Sequence, residues 1–240
     1  MNGLDLKKGR DRKGWTQHQA ASRLGVSQPY LSLLEKELRR VPEKLARRAA
    51  TAFRLSATTL PARTKWHAVQ HKNDATLAAD LAALGYPAFS HLKNGRRKNP
   101  AEILLSALSA QDLNSRVTEA LPWILLEYPD LDWQSLIREV KVRDLQNRLG
   151  FLISVARRIA EQRGEDFKAE LLRSKEAELA RSRLLLEDTL CHNSLTVAER
   201  RWLDTARSEE AKYWRLLTDL KPEQLKYAST TSFSMEIVLR

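Results

Sequence analysis

Cysteine is almost absent. Cys191 is the single one in 240 residues, so no internal disulfide can form. The first fourteen residues, MNGLDLKKGRDRKG, hold no apolar stretch of signal-peptide length. Together these predict a reducing, cytoplasmic setting. Long hydrophobic runs are missing too. No stretch approaches the roughly 18 apolar residues of a membrane span, so no membrane association is expected. Eight glycines are scattered without forming a phosphate-cradling loop. Of five histidines, only His67 and His71 have a helical ligand spacing, and neither a cysteine nor a nearby acid completes a set. Cys191-His192 are neighbours in sequence with no nucleophile signature around them. The chain is therefore expected to hold no metal and no cofactor, and to be no enzyme. Hydrophobic residues at 42% and charged residues at 30% exclude a disordered chain.

What is present in excess is positive charge, and it is unevenly spread. Residues 1–63 carry 14 basic and 5 acidic side chains, net +9, leaving only +2 of the total +11 for the rest. A small, strongly basic unit ahead of a larger, balanced one predicts a nucleic-acid binder at the N-terminus. The organisation expected is a DNA-binding domain at 1–63, a linker at 64–74 and a helical domain at 75–240.

The local signals in the first unit are dense. Thr16 can cap a helix that Gly25 ends, and Ser27 can cap a second with Pro29 in its first turn. Ala21 supplies the small residue where two steeply crossed helices touch. Ala20, Leu24, Val26, Leu31 and Leu34 close the core, and Gln28, Pro29, Ser32 and Leu33, with Tyr30 at the edge, are left on a face free of acids. Pro42 opens a further helix carrying Leu45, Ala49, Ala52 and Phe53. Arg10, Gly14, Thr16-Gln17, Ala21, Leu24-Gly25-Val26-Ser27, Leu31, Leu34-Glu35 and Pro42 stand at the spacing of a known pattern, and residues 4–60 resemble the Cro/repressor (XRE) helix-turn-helix family. The resemblance implies that Gln17 contacts phosphate and Gln28 leads base reading, with Ser27, Pro29, Tyr30 and Ser32 on the same surface. It implies that Arg39 and Arg40 contact phosphate and that Arg10 pairs with Glu35. Gly9 stands where the family usually has an apolar residue, and Glu37 where it often has glycine.

The remainder has helical periodicity: stripes at Leu77–Leu84, from Ala101, at Leu121–Tyr128, from Asp132, and at Leu145–Gln162. A long charged helix is expected over Asp166–Leu190, with others at Val197–Ala206 and Ser208–Leu220. Trp123, Trp133, Trp202 and Trp214 are expected in the core. The run Lys93-Asn94-Gly95-Arg96-Arg97-Lys98 is expected to be a solvated loop, phosphate contact being the alternative. Phe233, Met235, Ile237 and Leu239 alternate with polar and other residues, which predicts a short terminal strand in an otherwise all-α chain. The functional expectation is a bacterial or phage, nucleoid-associated transcription regulator. It would bind double-stranded DNA as a homodimer and act as a repressor. The alternative is an antitoxin that represses its own operon and binds a toxin through its C-terminal part.

Overall fold

The computed structural model describes residues 1–62 and 73–228. The expected linker (but for Asn73 and Asp74), His67 and His71, and the alternating tail from Phe233 lie outside the described residues. Among the described residues the fold is all-α, as expected, with one small parallel strand pair.

Four helices come first: α1 Gly3–Arg12, α2 Gln17–Leu24, α3 Gln28–Glu35 and α4 Glu43–Ala52. The first three starts carry a side-chain cap, and α4 begins after Pro42 without one. Asn2 and Thr16 form reciprocal capping boxes with Asp5 and Gln19, and Ser27 accepts from the Tyr30 amide. Gly25 ends α2 in the left-handed region at φ 63°. Leu6, Ala20, Ala21, Leu24, Leu31, Leu34, Leu45, Ala49 and Phe53 bury one apolar cluster between the four helices. Fully burying one such leucine contributes roughly 1.5–3 kcal/mol. Gly9 does not shorten α1. A Cβ there would come within 2.9 Å of the Phe53 ring, so glycine lets the helix lie against the end of α4.

A 3-10 turn at Ala57–Thr59 leads out of this unit. Beyond it run α5 Asp74–Leu84, α6 Pro100–Leu108, α7 Ser115–Glu119, α8 Leu121–Glu127, α9 Trp133–Val142, α10 Gln146–Gln162 and α11 Asp166–Ala180. Then come β1 Asp188–Thr189, α12 Val197–Ala206, α13 Glu209–Tyr213, β2 Leu216–Leu217 and a 3-10 turn at Pro222–Gln224. Helix α10 is buried on nearly every side, the mark of a central helix. It packs against α11 after a reversal at Gly164, φ 68°.

Three expectations are corrected here. The charged helix stops at Ala180, ten residues early, because side chains at the start of α10 capture the backbone that follows. Asn147 both donates to the Leu184 carbonyl and accepts from its amide, at 3.0 and 2.9 Å, and Gln146 donates to the Ser182 carbonyl. Buried Arg148 then holds Asp188 through two bonds of 2.7 and 2.9 Å, which sets β1 beside β2 in parallel register. Leu186, a heptad partner of Leu172 and Leu179 in the sequence, is consequently exposed. Likewise α13 ends at Tyr213, whose carbonyl accepts from Arg183, and Arg215 turns the chain at φ 56°. Trp202 is 56% exposed on α12, whereas Trp123, Trp133 and Trp214 are buried. The Trp214 indole donates to Ser154 at 2.8 Å.

Candidate nucleic-acid interface

The crossing of α2 and α3 is fixed by a polar chain running from the core to the surface. Arg10 on α1 donates from Nε and Nη2 to the Glu35 carboxylate at 2.7 and 3.0 Å. Its Nη1 donates to the Trp15 carbonyl at 3.1 Å. Bonding to Glu35 raises the Arg10 guanidinium further above its ordinary range. Gln17 donates to the same carboxylate at 2.9 Å, and Gln28 donates from Nε2 to the Gln17 Oε1 at 2.8 Å. The Glu35 side chain is 2% exposed and that of Arg10 12%. A charged pair this deep is shielded from salt and water, so it can act as a fixed anchor.

The anchor has a consequence at the surface. A primary amide has two N–H donors and one carbonyl acceptor. Gln28 spends one donor on Gln17, which leaves a second donor and Oε1 beside it. That adjacent pair is what an adenine presents a partner for at N7 and N6 in the major groove.

Around it, Ser27, Pro29, Arg39 and Arg40 are exposed, and Gln17, Gln28, Tyr30 and Ser32 are half-buried. The Ser27 hydroxyl already accepts the Tyr30 amide at 3.4 Å as a cap. The Arg39 guanidinium lies 6.0 Å from the centre of the Tyr30 ring, which draws it to the edge of α3. Glu37 turns the chain out of α3 at φ 60°, a conformation that costs a non-glycine residue about 1 kcal/mol or more. The eight expected residues thus lie on α2, α3 and the turn after it. Sequence reading passed over Arg23, exposed on α2 and 4.4 Å over the Trp15 ring, and Lys44, exposed in the first turn of α4. Basic residues beside capping signals were the available cue for both.

Residues 6–60 match the helix-turn-helix family model. The N-terminal unit is a helix-turn-helix of the Cro/repressor type. The match supports DNA binding and transcription regulation as the role of this unit. It covers less than a quarter of the chain, and no curated protein and no solved structure matches.

Elsewhere, among the described residues, no group of three or more His, Cys, Asp or Glu could hold a metal ion. No helix among them is long and apolar enough to cross a membrane. Cys191 is buried, its thiol donating to the Ala107 carbonyl at 3.3 Å, and burial pushes the thiol up to about 11. At neutral pH it is therefore a poor nucleophile. A cavity of about 530 Å³ opens beside β2, lined by Trp202, Leu203, His192 and Asp219 among others.

Proposed function

We propose that the chain is a repressor that reads an operator with α3. Gln28 pairs with an adenine edge, Ser27, Pro29, Tyr30 and Ser32 line the groove, and Gln17, Arg39 and Arg40 hold phosphates. The observation that carries this reading is the Arg10–Glu35–Gln17–Gln28 chain, which ties down one donor of the half-buried Gln28 and leaves its second donor and Oε1 for a partner. The domain at 1–63 is the reader, and 75–240 serves pairing or partner binding. Two paired chains would address half-sites one helical turn apart, about 34–36 Å. Repression then follows from occlusion of a promoter.

The test begins with selection of bound duplexes from a random pool by the full chain. Gln28→Ala should cost about 1–3 kcal/mol at one base pair and relax its preference. Arg39→Ala should weaken binding to all duplexes alike and reduce the salt slope by about one. Unchanged affinity and preference in Gln28→Ala would refute the docking. The antitoxin alternative shares the DNA reading and requires a bound toxin. Co-purification from the native host separates the two.

A further inference from the structure

The basic loop at residues 93–98 lies beyond the family match, and it is held in place. Gly95 lies so close to α5 that a Cβ would sit 1.7 Å from the Ala79 carbonyl oxygen. Lys98 donates to Asp80 at 2.6 Å. The next residue, Asn99, donates to the carbonyls of Thr58 and Leu60 at 2.9 and 2.6 Å. On its other flank, Arg47 of α4 donates to the Arg97 carbonyl at 3.0 Å. The loop is therefore moored both to the larger unit and to the helix-turn-helix. What it leaves outside are the side chains of Lys93, Arg96 and Arg97, all exposed and none with an ion pair among the described residues.

Position follows from the same contacts. Arg47 is one helical turn from Glu43, about 6 Å along α4. From Arg40 to Glu43 the chain can span at most about 11 Å. With the extended Arg47 side chain, about 7 Å, and its hydrogen bond to Arg97 added, the loop lies within about 30 Å of Arg40, or about nine base pairs at 3.4 Å each. Three exposed cations therefore lie within one duplex turn of the segment carrying Arg39, Arg40 and Lys44, with no acid inside the loop.

We propose that the 93–98 loop is a second DNA-contacting element, gripping duplex phosphates that flank the site read by α3. Its partner is the sugar-phosphate backbone, so it adds affinity and register without base preference. The mooring at both ends means that little backbone freedom is lost on binding. The proposal rests on α3 reading DNA and extends the interface into the larger unit.

The experiment uses the full chain and a fluorescent random-sequence duplex of about three helical turns, with anisotropy read between about 50 and 200 mM salt. Arg96→Ala/Arg97→Ala should reduce the slope of log affinity against log salt by about 1.8, at about 0.9 per phosphate released. Base preference in the selected operator should be unchanged. Arg96→Lys/Arg97→Lys should keep the wild-type slope. A wild-type slope in the double alanine variant overturns the proposal. So does an equal fall in Arg200→Ala/Arg201→Ala, which removes two exposed charges from α12 instead. Failure of the α3 reading looks different: the wild-type chain would bind no duplex, or Gln28→Ala would leave preference intact, and the first result overturns the loop proposal with it.

Discussion

Replacing Glu35 by glutamine keeps the volume of the side chain and removes its charge. In the structure this carboxylate accepts three hydrogen bonds, two from Arg10 and one from Gln17. A glutamine offers one acceptor oxygen and must point an NH2 group at a donor on the other side. At least one charge-assisted bond is lost, worth about 1.5–3 kcal/mol, and the guanidinium is left with only the exposed Asp11 carboxylate, 2.7 Å away, as counter-charge. Breaking a buried pair by removing one partner costs about 3–5 kcal/mol, but Arg10 keeps its bond to Trp15, so the lower end applies. The expected loss is about 2–3 kcal/mol, a large part of the stability of a small unit. Hydrogen exchange read over peptides from residues 6–60 localises that loss, because it reports opening region by region. The same variant should release Gln17, and through it Gln28, so base preference should relax while the salt slope stays. Arg10→Met/Glu35→Leu separates the two effects. An apolar pair of similar volume should restore most of the protection, since isosteric replacement of a buried ion pair is often neutral, but it gives Gln17 no acceptor. Protection within about 0.5 kcal/mol of wild type in Glu35→Gln would refute the anchor, 0.5 kcal/mol being the scale of an ordinary surface change. Restored base preference in the apolar double variant would refute the chain from Glu35 to Gln28.

Glu37→Gly should stabilise the N-terminal unit by about 0.5–1 kcal/mol, since relief at φ 60° exceeds the added freedom of the unfolded chain; equilibrium urea unfolding measures it. Gly150→Ala should destabilise the larger unit by about 1–3 kcal/mol, because the new methyl would sit 2.4 Å from the buried Trp214 ring; thermal unfolding reads the shift. Cys191 has a pH signature. Its thiol is raised from 9.0 to about 11 in the folded chain, so its contribution is fully present below pH 9. Between pH 9 and about 11 the unfolded chain ionises while the folded one does not, and stability falls by about 2–3 kcal/mol. Cys191→Ala should lack that loss when its alkaline unfolding is compared with wild type.

The four N-terminal helices were legible because their signals are local. A cap and its recipient amide are three residues apart, and Gly25 has only to turn its own backbone. Even the pairing of Arg10 with Glu35 followed from the family spacing. The Gln28-to-Gln17 bond did not, since it depends on how far two side chains reach after the helices have crossed. The two misplaced helix ends in the larger unit share one cause. The stretch after Ala180 has the composition of a helix, and nothing near it forbids one. What ends it are Gln146 and Asn147, more than thirty residues earlier in the chain. Periodicity reports which face of a helix is apolar and says nothing about a distant side chain that outbids the next helical hydrogen bond.

The same distinction governs how the reader is mounted. Read locally, residues 56–62 end the basic unit, with the linker expected at 64–74 ahead of the balanced one. In the structure they belong to both. Ala57 is buried in the cluster of the larger unit, while Leu60, three residues on, is buried in the cluster of the N-terminal helices. Between them the Thr58 hydroxyl donates to Asp130 at 2.6 Å, and the Thr58 and Leu60 carbonyls accept from Asn99. Two backbone carbonyls of this turn are therefore satisfied by the larger unit, and an extended linker would have left them to water. A joint built this way transmits position. Any shift of the Asn99–Pro100 start of α6 must either carry the 3-10 turn with it or break two hydrogen bonds, each worth about 1 kcal/mol. Arg47 and the Arg97 carbonyl form a second tie on the other side of the same joint. Two ties at separate points resist rotation as well as translation, so the orientation of α3 is referred to the helices of the larger unit.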